Sequence, residues 1–404
     1  GERAIRASDF IDGLGVNGHV SWPGHYPYSE TSRVAEAMAY LGVRTLRDHI
    51  NASTQPVFER LAARGVRFDL LLNPKVGIDN YVAWARALAK AYPGVVAALE
   101  GPNEVDKWPV QFEGRGGLQA AAEVQRVLYA MAKREPLLAR VPVYNLTLSG
   151  ISRSKAAELG DLSAHADYAN VHPYYRAGQQ SWGHSLIDAR YTLKAYMAAA
   201  RWTAPGRPVV LTESGSTTAV GSDIGVTEAV QARQILNSLF AAAAHGASAI
   251  SIYELVESHA NGAQDPESHY GLYRYDWTPK PAAHALHNLT SILQPRGGTD
   301  EGRPPTRLTR HAVRGLPANG ASLVLLQDDG SYDLAIWAEP DLWDEVRHRP
   351  LATTRSVVQV DFEAVSPFVE LYDPLLGAKP LETFRRIRRV EVPLADHPVI
   401  LKVT

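Results

Sequence analysis

The strongest constraint on this chain is an alternation that repeats eight times. Short apolar runs, "LGVNGHV" (14–20), "VRTLRDHI" (43–50), "VRFDLLLNP" (66–74) and "VVAALEG" (95–101), read as buried strands. They continue with "VPVYNLTL" (141–148), "DYANVHPYY" (167–175), "RPVVLTESG" (207–215) and "ASAISIYEL" (247–255). Between them lie amphipathic, alanine-rich stretches such as "TSRVAEAMAYLG", "QPVFERLAARG" and "EAVQARQILNSLFAAAAHG". Several close on glycine, the usual residue just past a helix end. Eight strand–helix units over roughly 280 residues, about 35 each, predict an α/β protein built as a (β/α)8 TIM barrel. The rival is a doubly wound open sheet. It would carry a glycine-rich fingerprint after its first strand, and "GVNGHVSWPG" does not match one.

The texture changes at "PRGGTDEGRPPTR" (295–307). Beyond it come short alternating segments separated by turn signals such as Asp329-Gly330, the pattern of a C-terminal antiparallel β-sandwich. The expected organisation is therefore a barrel over 14–294 and a sandwich domain over 295–404. Residues 1–13 are too few for a domain and could add a strand to the sandwich.

Composition then removes whole classes of function. With 41 basic and 43 acidic residues the formal charge is -2, no footprint for nucleic acid. No apolar run approaches the ~18 residues that span a bilayer. There is no cysteine, so disulfides and thiol nucleophiles are excluded. None of the 14 histidines forms a metal-ligand motif, and neither a P-loop nor a G-x-S-x-G elbow occurs. No cofactor and no metal are expected. The first residue is Gly rather than Met, and the expectation is a processed protein, secreted or periplasmic. The sequence leaves the oligomeric state open.

In a barrel of this type chemistry collects at the carboxyl ends of the strands. There the sequence puts His19 and Trp22 after strand one, Arg47 and His49 at strand two, Asn73 at strand three, and Asn103 with Glu104 at strand four. It continues with His172, Tyr174 and Tyr175 at strand six, Glu213 at strand seven, and Tyr253 with Glu254 at strand eight. Glu213 follows Glu104 by 109 residues, three units of about 36. Either glutamate alone could be a salt-bridged strand end. Both in frame face each other across the barrel mouth, and paired carboxylates across a cleft suit glycoside hydrolysis. Like charges held close also separate the acidities of such a pair, so that one member keeps its proton near neutral pH.

The segments "GPNE", "NVHPYY", "LTESG" and "YGLYRYDWTPKPAAHAL" resemble the retaining glycosidases of glycoside hydrolase clan A. Within the clan the chain most resembles family 39 and its exopolysaccharide-hydrolase relatives, over residues 10 to 294. The resemblance implies Glu104 as acid/base and Glu213 as nucleophile. It implies Asn103 on the sugar 2-hydroxyl, and Tyr174 and Arg47 against Glu213. Many clan members end strand eight on a tryptophan that floors the reacting sugar; here "SIYELVES" puts Tyr253 or Glu254 in that place.

The remaining candidates have duller readings beside them. His172 could contact sugar or be a core histidine bonded to backbone, and His19 and His49 could bind hydroxyls or bridge loops. Trp22, Trp108 and Trp182 fall in loops after strands one, four and six, where indoles stack on sugar faces. Glu257 in the long loop eight is a secondary candidate, while Asp106, Glu113 and Glu267 read as solvated surface. The expected activity is a retaining glycosidase on a poly- or oligosaccharide, endo-acting on an extracellular polymer. The alternatives are a non-catalytic carbohydrate-binding protein on the same barrel, or an inverting glycosidase.

Overall fold

The structure, a computed structural model, describes residues 3–181, 191–297 and 310–404. Eight parallel strands run in the order expected of the barrel: β1 (Leu14–Asn17), β2 (Thr45–His49), β3 (Arg67–Leu71), β4 (Val96–Glu100), β5 (Val143–Tyr144), β6 (Ala169–Asn170), β7 (Val209–Ser214) and β8 (Ala247–Ile252). Hydrogen bonding links them as β5-β4-β3-β2-β1-β8-β7-β6, and a parallel bridge from Tyr144 to Tyr168 brings the two ends of that path together. A helix follows each strand, from Thr31–Leu41 after β1 to Pro281–Ile292 after β8. In the first of these Val34, Met38 and Leu41 recur on one face and are buried. Gly42, at φ +68, then closes it in the left-handed cap that glycine favours.

Strands five and six are shorter than the sequence pattern suggests, for local reasons. After Tyr144, Asn145 N still reaches Tyr168 O at 3.0 Å, but the following N–H, on Leu146, goes to the Gln125 side chain at 2.9 Å. In strand six Val171 N still reaches Val210 O at 3.3 Å, but Pro173 has no N–H to continue the ladder. Strand three ends at Leu71, and Asn73 instead caps a short turn by accepting from Lys75 N at 3.1 Å.

The mid-strand residues, expected to be apolar, divide by face. Leu46, Leu70 and Leu99 belong to the large core shared with the helices. Their alternating neighbours Arg47, Asp69 and Glu100 turn into the barrel axis, where all three are nearly inaccessible. The barrel interior is thus polar on this side.

The C-terminal unit is one sheet of seven strands. β9 (His311–Arg314), β10 (Gly320–Leu326), β11 (Tyr332–Ala338), β12 (Ser356–Tyr372), β13 (Glu382–Leu394) and β14 (Val399–Val403) are joined by the N-terminal strand Ala4–Arg6, which pairs parallel to β10. Its own core includes Leu334, Ile336, Val358, Val360, Val392 and Leu401. It docks on the barrel by apolar contact, Trp337 lying 5.7 Å from Phe240, and by polar ties such as Asn237 Nδ2 to Asp396 O at 2.9 Å.

Candidate active site

The segment after β4 makes a sharp polar turn because one position has no room for a side chain. A Cβ on Gly101 would fall 1.8 Å from Gln125 Oε1. The turn then places Glu104 at φ +41, a left-handed conformation that costs a non-glycine residue about 1–3 kcal/mol. Thr147 holds it there: its Oγ1 accepts from Glu104 N at 3.0 Å and its carbonyl from Val105 N at 2.9 Å.

Glu213 comes from the end of β7 and is 8% exposed, as is Glu104. One oxygen of each glutamate and a ring nitrogen of His172 all lie within 4.8 Å of one another. His172 Nδ1 is 3.0 Å from Glu104 Oε1 and 3.7 Å from Glu213 Oε2. The other face of the imidazole, Nε2, meets Thr212 Oγ1 at 2.9 Å. Lys107 Nζ stands 3.8 Å from Glu104 Oε2 and half-exposed.

The two glutamates have different company. Glu213 Oε1 accepts from Arg47 Nη1 at 2.7 Å and Oε2 from the Tyr174 hydroxyl at 2.6 Å. Burial alone would raise this carboxyl, but the neighbouring His172 and Arg47 charges and the Tyr174 bond outweigh it, and its pKa falls to about 2. Glu213 is therefore ionised at neutral pH. Burial and the adjacent Glu213 charge push the Tyr174 phenol up, which keeps it a donor. Arg47 also donates through Nη1 to Asn17 Oδ1 (2.8 Å) and through Nη2 to Asn103 Oδ1 (2.9 Å), which fixes the Asn103 amide beside the pair.

Among the described residues, Glu104, His172 and Glu213 are also the group whose ligand atoms approach closely enough to share a metal ion. Both oxygens of Glu213 are already engaged by Arg47 and Tyr174, an arrangement better suited to holding a bare carboxylate than to ligation.

An aromatic wall flanks the carboxylates. His19 stacks on Trp22 with ring centroids 3.8 Å apart, and its Nε2 lies 3.0 Å from the Tyr253 hydroxyl. Burial, with His49 next, pulls the His19 pKa down to about 3, so it is neutral. Tyr253 meets Tyr174 and Tyr270 edge-on at 6.5 and 5.6 Å. Of the two residues that end strand eight, Tyr253 is the one on this wall. Glu254 is a correction: it is wholly buried, accepts from Tyr28 and Ser258 at 2.8 and 3.1 Å, and burial pushes it well above the carboxylate range. A neutral carboxyl sealed in this way does not reach a sugar.

Other expectations move as well. His172 is 1% exposed and serves Glu104 rather than open solvent. His49 ends β2 with Nδ1 buried and without a protein partner, and burial lowers its pKa to about 4. Trp108 is 60% exposed, one turn from Glu104, with Lys107 Nζ 5.6 Å from its ring. Trp182 lies outside the described residues. Glu257 is spent on a buried ion pair with Lys280 at 2.7 Å. Asp106 is no solvated acid but clasps Lys155 and Ser149 at 2.8 Å each. Sequence reasoning missed Glu100, Asp69, Asn17, Thr212 and Tyr270. The signal for the first two was present, since each is a charge inside an otherwise apolar strand.

The barrel with its appended β-domain is a fold found among glycoside hydrolases of known structure. A family 39 glycoside hydrolase from the gut symbiont Bacteroides cellulosilyticus WH2 superposes over 99% of this chain and 82% of its own, with a TM-score of 0.65 at 12% identity. A β-glucuronidase from Ruminococcus gnavus, solved with D-glucuronic acid, matches 69% of this chain at a TM-score of 0.50 and 16% identity. The match covers 49% of that enzyme's length. At such identities the likeness is one of fold. No protein-family model and no curated protein matches the sequence.

Proposed function

We propose that the protein is a retaining glycosidase that cleaves a poly- or oligosaccharide by double displacement. The observation that carries this reading is the asymmetry of the paired carboxylates: Glu213 held ionised by Arg47 and Tyr174, Glu104 set against His172, and their nearest oxygens within 4.8 Å. Retaining enzymes separate these groups by about 5–5.5 Å, and inverting enzymes need roughly 6.5–9.5 Å to seat a water between them. The close approach of the two glutamates supports direct attack.

In the first step Glu104 gives its proton to the glycosidic oxygen as the C1–O bond breaks. A Glu213 oxygen supplies the electron pair that forms an ester with C1. In the second, Glu104, now a carboxylate, takes a proton from water, whose oxygen attacks C1 and expels Glu213. Arg47 and Tyr174 stabilise the carboxylate as nucleophile and again as leaving group. Asn103, oriented by Arg47, is suited to the sugar 2-hydroxyl, and the His19–Trp22–Tyr253 wall to the ring faces. Exposed Trp108 and the long loop eight support an open cleft and endo attack; we extend the proposal to an extracellular polysaccharide and a secreted or periplasmic enzyme.

A 2-deoxy-2-fluoro glycoside with a good leaving group tests the assignment. It should trap an ester that peptide mass mapping finds on Glu213, and Glu213→Gln should bind oligosaccharide while turnover collapses. An adduct on another carboxylate would reassign the roles.

A further inference from the structure

Beneath the carboxylate pair a chain of charged groups descends through the barrel. Besides Glu213, Arg47 serves Glu100, with Nε to Oε2 and Nη2 to Oε1 both at 2.8 Å. Glu100 is wholly buried, and its Oε1 accepts in addition from Thr212 Oγ1 at 2.9 Å and Asn170 Nδ2 at 3.1 Å. Asp69, 3% exposed, hydrogen-bonds the same carboxyl. Two carboxyls in contact away from water hold one proton between them. Glu100 accepts four donated hydrogen bonds, two of them from the guanidinium, so it is the ionised member. Asp69 Oδ1 receives no hydrogen bond from the protein, so the proton belongs to Asp69.

Asp69 also borders space that water can fill. It lines a cavity of about 490 Å³ at the amino-terminal ends of the strands, together with Thr45, Arg67, Tyr144 and Ser251. That volume admits several waters, and Arg67 Nε is a second buried polar atom there without a protein partner. The other titratable groups facing Asp69 are Tyr81 from the helix Ile78–Ala91 and Tyr144 from β5, both phenols pushed up by burial and therefore neutral. Arg3, Asp9 and Asp12 line the same cavity, Asp12 lying 3.7 Å from Arg67.

We propose that Asp69 is a positioning residue that stays protonated through the reaction, donating to Glu100 and exchanging its proton with water in the basal cavity, so that Arg47 remains free to hold Glu213. Were Asp69 ionised, two adjacent anions would draw Arg47 down the barrel and leave Glu213 more basic. With Asp69 neutral, Arg47 and Glu100 balance each other when esterification removes the Glu213 charge. Burial and the Glu100 charge both push Asp69 well above the carboxylate range, in agreement. The catalytic consequence rests on Glu213 being the nucleophile; the protonation state does not.

Asp69→Asn copies the protonated acid in shape and donor, whereas Asp69→Ala removes the donor. We expect Asp69→Asn to keep kcat/KM within about threefold of wild type, with its acid limb unmoved. Asp69→Ala should shift that limb upward and lower kcat/KM about tenfold or more. Infrared difference spectra of wild type against Asp69→Asn at neutral pD should show one protonated-carboxyl stretch lost. That readout needs no substrate, so it decides the point even if no glycoside is cleaved or the alanine variant fails to fold. Absence of the band, or an acid limb displaced as far by Asn as by Ala, would overturn the proposal.

Discussion

At the scale of single residues the site is a contrast between two glutamates of equal burial, and substitutions should separate them. Glu104→Ala should slow substrates with poor leaving groups by about 10²–10⁴-fold while sparing activated aryl glycosides, because only a basic departing oxygen needs the proton. Azide should restore the aryl reaction by attacking the ester directly, and equal losses on both substrates without an azide product would contradict the assignment. Tyr174→Phe removes a charge-assisted bond to ionised Glu213, worth about 1.5–3 kcal/mol. Since that bond lowers the Glu213 pKa, its loss must raise it. The acid limb of the kcat/KM profile should move to higher pH and the plateau fall about tenfold or more; an unmoved limb would show that Tyr174 does not govern Glu213.

At the scale of elements, the sandwich supports the loop that carries Tyr174. Trp343, on the hairpin formed by Trp343–Asp344 and Arg349–Pro350, packs with Ala177, Val226 and Val230. Gly178 lies so close that a Cβ there would stand 2.3 Å from Trp343 Cβ. Ser181 bonds Glu339, and Gln180 Nε2 reaches Pro340 O at 2.8 Å. Trp343→Ala should cost about 3–5 kcal/mol and lower kcat more than it raises KM, read by calorimetry and kinetics on the same preparation. The eight units, the change of texture near residue 295 and the strand-end glutamates were legible because each is a local pattern. The charged chain was not: Arg47, Asp69 and Glu100 sit about 20 to 50 residues apart in sequence, and only closure of the barrel makes them neighbours. Glu254 misled for the complementary reason. Its position after β8 reads as the mouth, yet Tyr28 and Ser258 draw its side chain into the wall.

At the scale of the whole molecule, barrel and sandwich meet at an ionic clamp. His397 is held between Asp373 at 2.7 Å and Asp396 at 2.8 Å, and Asp396 also pairs with Arg233 on the barrel helix Glu228–Ala244 at 3.1 Å. Burial opposes protonation of His397, but the two carboxylates prevail and raise its pKa from 6.5 to about 8. A folded-state value above the unfolded one stabilises the fold fully below pH 6.5, and that contribution disappears as pH rises through 8. The span corresponds to about 2 kcal/mol. Thermal midpoints should therefore drop between pH 6.5 and 8 in the wild type and stay flatter in His397→Gln; parallel curves would remove the clamp from the stability of the junction. The central claim, attack by Glu213 on the anomeric carbon, is tested most directly by proton NMR of the first-formed product. Two successive inversions predict that the released sugar initially carries the anomeric configuration of the substrate, before mutarotation. An initially inverted anomer would contradict the account.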